Sequence, residues 1–116
     1  MLQNNFYDIL QSNQDGYTIR FNSQHPIFSG HFPEHPIVPG ACLVQIAEEL
    51  AAQTYGHPVR FTAIRDLKLR QPITPSQEIV ICIQKSAALT CKVLCADSAN
   101  EWQMITFSAQ FDSLIH

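Results

Sequence analysis

Gly30-His31-Phe32-Pro33-Glu34-His35-Pro36-Ile37-Val38-Pro39-Gly40 runs straight into the apolar stretch Ala41-Cys42-Leu43-Val44-Gln45-Ile46-Ala47. Each of the three prolines fixes a backbone angle and pushes the residue before it towards an extended conformation. A histidine held in such a loop keeps a set direction. Pro39-Gly40 then stands where a helix should begin, with free N–H groups and a partial positive charge suited to a developing oxyanion. The segment therefore supplies a candidate base, His31, and a candidate oxyanion donor, the Gly40 N–H. The plain alternative is a turn histidine bonded to nearby backbone.

Gly30, His31, Phe32, Pro33, Pro36, Pro39 and Gly40 together resemble the signature of the hotdog-fold 3-hydroxyacyl-(acyl carrier protein) dehydratases. A second stretch, Leu67-Lys68-Leu69-Arg70-Gln71-Pro72-Ile73-Thr74-Pro75-Ser76, is similar to the strand that follows the helix in that family, with Ser76-Gln77 in place of Gly-Asp. The resemblance covers most of residues 16–112. It implies an α+β hotdog domain over 1–116, an antiparallel sheet wrapped around one long buried helix. It also implies a hydro-lyase acting on an acyl thioester, carried on the phosphopantetheine arm of an acyl carrier protein or on coenzyme A, with no bound cofactor. His31 would remove the proton alpha to the carbonyl. Gly40, flanked by Phe32 and Pro39, would form the oxyanion and substrate-binding side.

One position departs from the pattern. The resembled family carries its catalytic acid fourteen residues after the histidine, and here that position is Gln45. A carboxamide cannot deliver a proton at neutral pH. On a helix over Ala41–Thr54, Leu43, Ile46, Ala47 and Leu50 share one side, while Ala41, Gln45, Glu48, Glu49 and Ala52 share the other. Gln45 and Glu49 are one turn apart and so are neighbours. Glu49 is then a candidate proton donor oriented by Gln45, displaced about 5–6 Å from the usual place. Alternatively, Glu48 and Glu49 are the solvated end of a helix that has left the core. A third explanation lies in assembly. In the resembled family the site forms at a dimer interface, with histidine from one subunit and acid from the other. A homodimer or higher oligomer is expected, or a heterodimer in which another dehydratase-like subunit supplies the carboxylate. Two further readings remain: a non-catalytic acyl-binding subunit, and an acyl thioesterase in which Glu49 activates water.

With 116 residues the chain has room for one core. A formal net charge of −3 argues against nucleic acid as a partner, because phosphates demand a basic surface. Arg65, Lys68 and Arg70 cluster around one strand. They form its solvent face or meet an acidic carrier protein or pantetheine phosphates. No stretch is long and apolar enough to cross a bilayer, and Met1–Asn5 lacks the features of a signal peptide, so a cytoplasmic protein is expected. Cys42, Cys82, Cys91 and Cys95 show no C-x-x-C spacing and read as small apolar side chains. His31 and His35 have helical ligand spacing, but Pro33 and Pro36 oppose a helix there, so no metal is expected.

Elsewhere periodicity assigns the elements. Phe6–Gln11 is a short apolar run, Asn13–Gly16 a turn, and residues 17–22 a half-buried strand. Tyr55-Gly56-His57-Pro58 stops the helix. Val59–Leu69 is a long strand bent near Arg65-Asp66. Strands follow at Glu78–Gln84, Leu89–Ala96 and Trp102–Phe111, the last two joined by a turn over 97–100. The reading makes the last four strands a series of hairpins.

Overall fold

The structure, a computed structural model, describes residues 2–14, 16–30, 36–99 and 103–114. Its elements are β1 (Tyr7–Asn13), β2 (Gly16–Phe21), α1 (Pro26–Gly30), α2 (Gly40–Tyr55), β3 (Val59–Leu69), β4 (Glu78–Lys85), β5 (Thr90–Asp97) and β6 (Gln103–Ser113). The strands form one antiparallel sheet in the order β1-β2-β4-β5-β6-β3, with α2 against its inner face.

Pro39 caps α2 in an extended conformation without a side-chain bond, so the helix start is set by the proline-fixed backbone. At the other end Gly56 takes the left-handed conformation (φ 78°) and its N–H returns to Ala52 O. Leu43, Ile46, Ala47, Leu50 and Ala51 are buried against the inward side chains of the sheet, among them Ile79, Ile81, Val93, Cys95, Ile105 and Phe107. Alternation along each strand leaves the intervening residues on the outer face. The opposite side of α2 is left half-open, with Ala41 exposed and Val44 and Gln45 partly covered. Its apolar first turns are therefore not enclosed within a single chain.

The series of hairpins needs correction. β4–β5 and β5–β6 are hairpins, but β3 pairs with β6 rather than β4. The reason lies in the connection: Pro72 and Pro75 preclude a tight two-residue turn, and the chain crosses to the far side of the sheet instead. The bend near Arg65-Asp66 is a bulge. Asp66 has φ 56° and the β3–β6 register shifts between Arg65 and Lys68. Gly16 is required where β2 begins. Its φ is 130°, and a Cβ there would lie 2.6 Å from the Ile81 carbonyl oxygen. The run at Phe6–Gln11 resolves as β1, and α1 was not legible from periodicity.

Candidate active site

The two motif stretches meet. The Val38 N–H donates to the Ile73 carbonyl at 2.7 Å, and both side chains are buried. Gln77 ties down the same connection. Its Oε1 accepts from the Thr74 N–H at 2.8 Å and its Nε2 donates to Asp97 at 2.8 Å. The end of the motif loop is thus fixed against the β3–β4 connection, delivering Pro39 and Gly40 to the head of α2. The Gly40 N–H has no acceptor among the described residues, and nothing lies within 4 Å of the place a Cβ would take. His31 and Phe32 lie outside the described residues.

Gln45 and Glu49 are brought together as their spacing predicts: Gln45 Nε2 donates to Glu49 Oε2 at 3.0 Å. Three more donors converge on that carboxylate. The Leu2 N–H reaches Oε2 at 2.8 Å, while the Gln3 N–H and the Tyr7 hydroxyl each reach Oε1 at 3.1 Å. Burial alone would push the Glu49 carboxyl up, but these hydrogen bonds outweigh it and hold it below its ordinary value. Tyr7 shifts the other way. Burial, then the Glu49 charge and the bond to it, raises the phenol well above its ordinary range. A carboxylate offers about four lone-pair positions, and here four donors occupy them. Such a group is an anionic anchor, ill-placed to give or to take a proton.

Glu48 is engaged as well, accepting the Phe61 N–H on edge strand β3 at 2.9 Å. Neither glutamate is therefore the solvated end of a departed helix. Gln45, Glu48, Glu49 and Ala52, with Gln3 and His57, border an open groove of about 510 Å³ along the exposed side of α2. Gly40 is not part of it, lying five residues, about 7–8 Å, before Gln45 along the helix. Tyr7 and the backbone of residues 2 and 3 were missed by sequence reasoning, because only the folded chain brings them to position 49.

The cysteines are free thiols. Burial pushes Cys91 up to about 11 and Cys95 up to about 12, which leaves neither nucleophilic near neutral pH. Among the described residues no group of three or more His, Cys, Asp or Glu could hold a metal ion, and no helix is long and apolar enough to cross a membrane.

An antiparallel sheet packed on one long helix, with the proline-rich loop feeding that helix, defines a hotdog-fold protein of dehydratase type. The family described as ApeI-like, ApeI dehydratase, matches residues 10–106, and the chain belongs to it. Among curated proteins it is similar to the 3-hydroxyacyl-[acyl-carrier-protein] dehydratase FabZ of Gluconobacter oxydans, with 36% identity over 69 residues, covering 52% of this chain and 41% of that protein. FabZ of Rhizobium etli is 36% identical over 67 residues, covering 52% and 43%. The chain thus spans less than half the length of these relatives. Two solved structures share the fold. One is the dehydratase heterocomplex ApeI:P from Xenorhabdus doucetiae, with TM-score 0.69 and 16% identity, covering 92% of this chain and 94% of that one. The other is an uncharacterized protein from Erwinia carotovora subsp. atroseptica, with TM-score 0.70 and 14% identity, covering 95% and 94%.

Proposed function

We propose that this chain takes part in dehydration of 3-hydroxyacyl thioesters on an acyl carrier protein, as a subunit whose site is completed by the carboxyl group of a second dehydratase-like chain. The observation that carries this reading is the occupied Glu49 carboxylate. Gln45 has no acidic proton, and Glu49 is an anion already bound to four donors. Neither can protonate a departing hydroxyl.

In this reading His31 removes the proton alpha to the thioester carbonyl, and the Gly40 N–H steadies the negative charge that develops on the carbonyl oxygen. The partner's carboxyl gives its proton to the 3-hydroxyl. Water departs and a 2-enoyl thioester remains. The Gly40 N–H, which meets no acceptor among the described residues, supports the oxyanion role. The half-open side of α2 and the exposed Ile64, Leu67 and Leu69 on edge strand β3 support assembly with a second chain. The heterocomplex named for the Xenorhabdus doucetiae dehydratase is the precedent for a two-chain arrangement. Within such a pair, only the site facing His31 would hold both base and acid.

The test is turnover of 3-hydroxyacyl carrier-protein thioesters, followed by mass spectrometry for loss of water. The chain alone, a dehydratase-like partner carrying its own His→Ala change, and their mixture are compared. Activity is expected on mixing and is abolished by His31→Ala. Equal activity of the isolated chain and the mixture would refute the partner's role. Release of free acid would instead indicate thioester hydrolysis.

A further inference from the structure

A second concavity, of about 340 Å³, lies away from α2 on the outer face of the sheet, where β3, β6 and β5 run side by side. Its register is explicit. Lys68 and Leu94 flank Thr106 on either side, and Lys92 stands opposite Ser108. Arg70 follows on the same side of β3, and Gln103 closes one end. The bulge lies at this hollow: Asp66 lines it, and the β3–β6 register shifts between Arg65 and Lys68.

Two independent observations mark this hollow as a site. The first is charge. The chain has seven Lys and Arg and a net charge of −3, yet three of the seven cations gather here against one lining carboxylate, Asp66. Elsewhere Arg60 pairs with Asp112, Arg65 bonds Gln110 and Lys85 sits over the Tyr55 ring. Lys68, Arg70 and Lys92 have no ion-pair partner among the described residues. The second is Thr106, a hydroxyl side chain only 7% exposed. It lines the hollow, and its hydroxyl bonds to no described residue. Since no buried side-chain oxygen is sealed without a partner, that hydroxyl must look into the hollow. A hydroxyl with no bond to a described residue, at the floor of a cationic depression, is open to an acceptor oxygen of a bound anion.

We propose that this hollow binds a phosphate group. A phosphate monoester brings nearly two negative charges and several acceptor oxygens, enough to engage the hydroxyls of Thr106 and Ser108 together with cations on both walls. A small compact depression suits a single polyoxyanion better than a flat acidic surface. The proposal is independent of the dehydratase reading.

The test is a titration of the full chain followed by amide shifts of Lys92, Thr106 and Ser108, at ionic strength held constant with chloride. Inorganic phosphate, coenzyme A and coenzyme A lacking its 3′-phosphate are the probes, with acetate as control. Saturable shifts with phosphate are expected. Thr106→Val keeps the β-branched shape and should weaken binding about tenfold. Lys68→Gln with Lys92→Gln should weaken it at least as much. Tighter binding of coenzyme A that depends on its 3′-phosphate would assign that source, and affinity no greater than that of phosphate would assign free phosphate. Shifts with phosphate no larger than with acetate, or wild-type affinity in Thr106→Val, would overturn the proposal.

Discussion

Glu49→Gln tests the anchor directly. The wild-type carboxylate accepts from the Leu2 and Gln3 N–H groups, the Tyr7 hydroxyl and Gln45 Nε2. A carboxamide keeps one acceptor oxygen and turns its NH2 towards one backbone N–H that cannot accept from it, while the side chain beside that N–H, the Tyr7 hydroxyl or a turned Gln45 amide, can. One bond is lost outright and the others lose their charge. At this half-buried position the lost bond is worth about 1–1.5 kcal/mol and the charge on the others about 1–2 kcal/mol together, so the total loss is about 2–3.5 kcal/mol. Urea unfolding at neutral pH should then show a midpoint lowered by about 1–2 M. The difference should also depend on pH with a definite sign. Glu49 has a folded-state value below its unfolded one, so its contribution is fully present above the unfolded value of about 4.3. As pH falls from there through the folded value, the unfolded chain takes up the proton first and the contribution is lost. Wild type and variant should therefore converge in strong acid. A variant with the wild-type midpoint at neutral pH, or a gap undiminished at about pH 2, would refute the reasoning.

Gly16→Ala should cost about 2 kcal/mol or more, read as a lowered melting temperature, because it combines a left-handed φ of 130° with a 2.6 Å approach to Ile81 O. Gln45→Glu should raise dehydration by the chain alone by about 10²-fold or more while lowering its melting temperature. It adds a general acid, yet it removes a donor and sets a second carboxylate 3.0 Å from Glu49. Leu67→Glu with Leu69→Glu, which places charge on exposed edge-strand apolar side chains, should leave the circular dichroism spectrum unchanged. Sedimentation of the pair should then show association lost, and unaltered association would remove β3 from the interface.

The helix and most strands were legible because their signals are local. Pro39-Gly40 and Gly56-His57-Pro58 bracket α2 within a residue of the expected limits, and alternation located the strands from β2 onward. Alternation tells which face a residue occupies, not which strand stands beside it, so the β3–β6 pairing stayed hidden. The five residues of α1 are too few to show a helical period. At the site, the Gln45–Glu49 contact follows from one turn of helix, whereas the donors from residues 2, 3 and 7 are more than forty positions away. The basic cluster was only half-read. Arg65 turns to Gln110, and Lys92 joins from a neighbouring strand.

The place of β3 has a consequence for how the chain is made. Val59 pairs with Ser113 and Leu69 with Ile105, so the strand leaving the ribosome just after α2 waits for β6, 36 residues or more further on, before its ladder can close. Until β6 emerges the backbone N–H groups of β3 have no strand to pair with, and α2 has only part of its sheet. Such a nascent chain has no early stopping point at which half the core is finished. Emergence of β6 closes the ladder in a single step. A message truncated anywhere before that strand would release an uncovered edge, material for a protease or a chaperone.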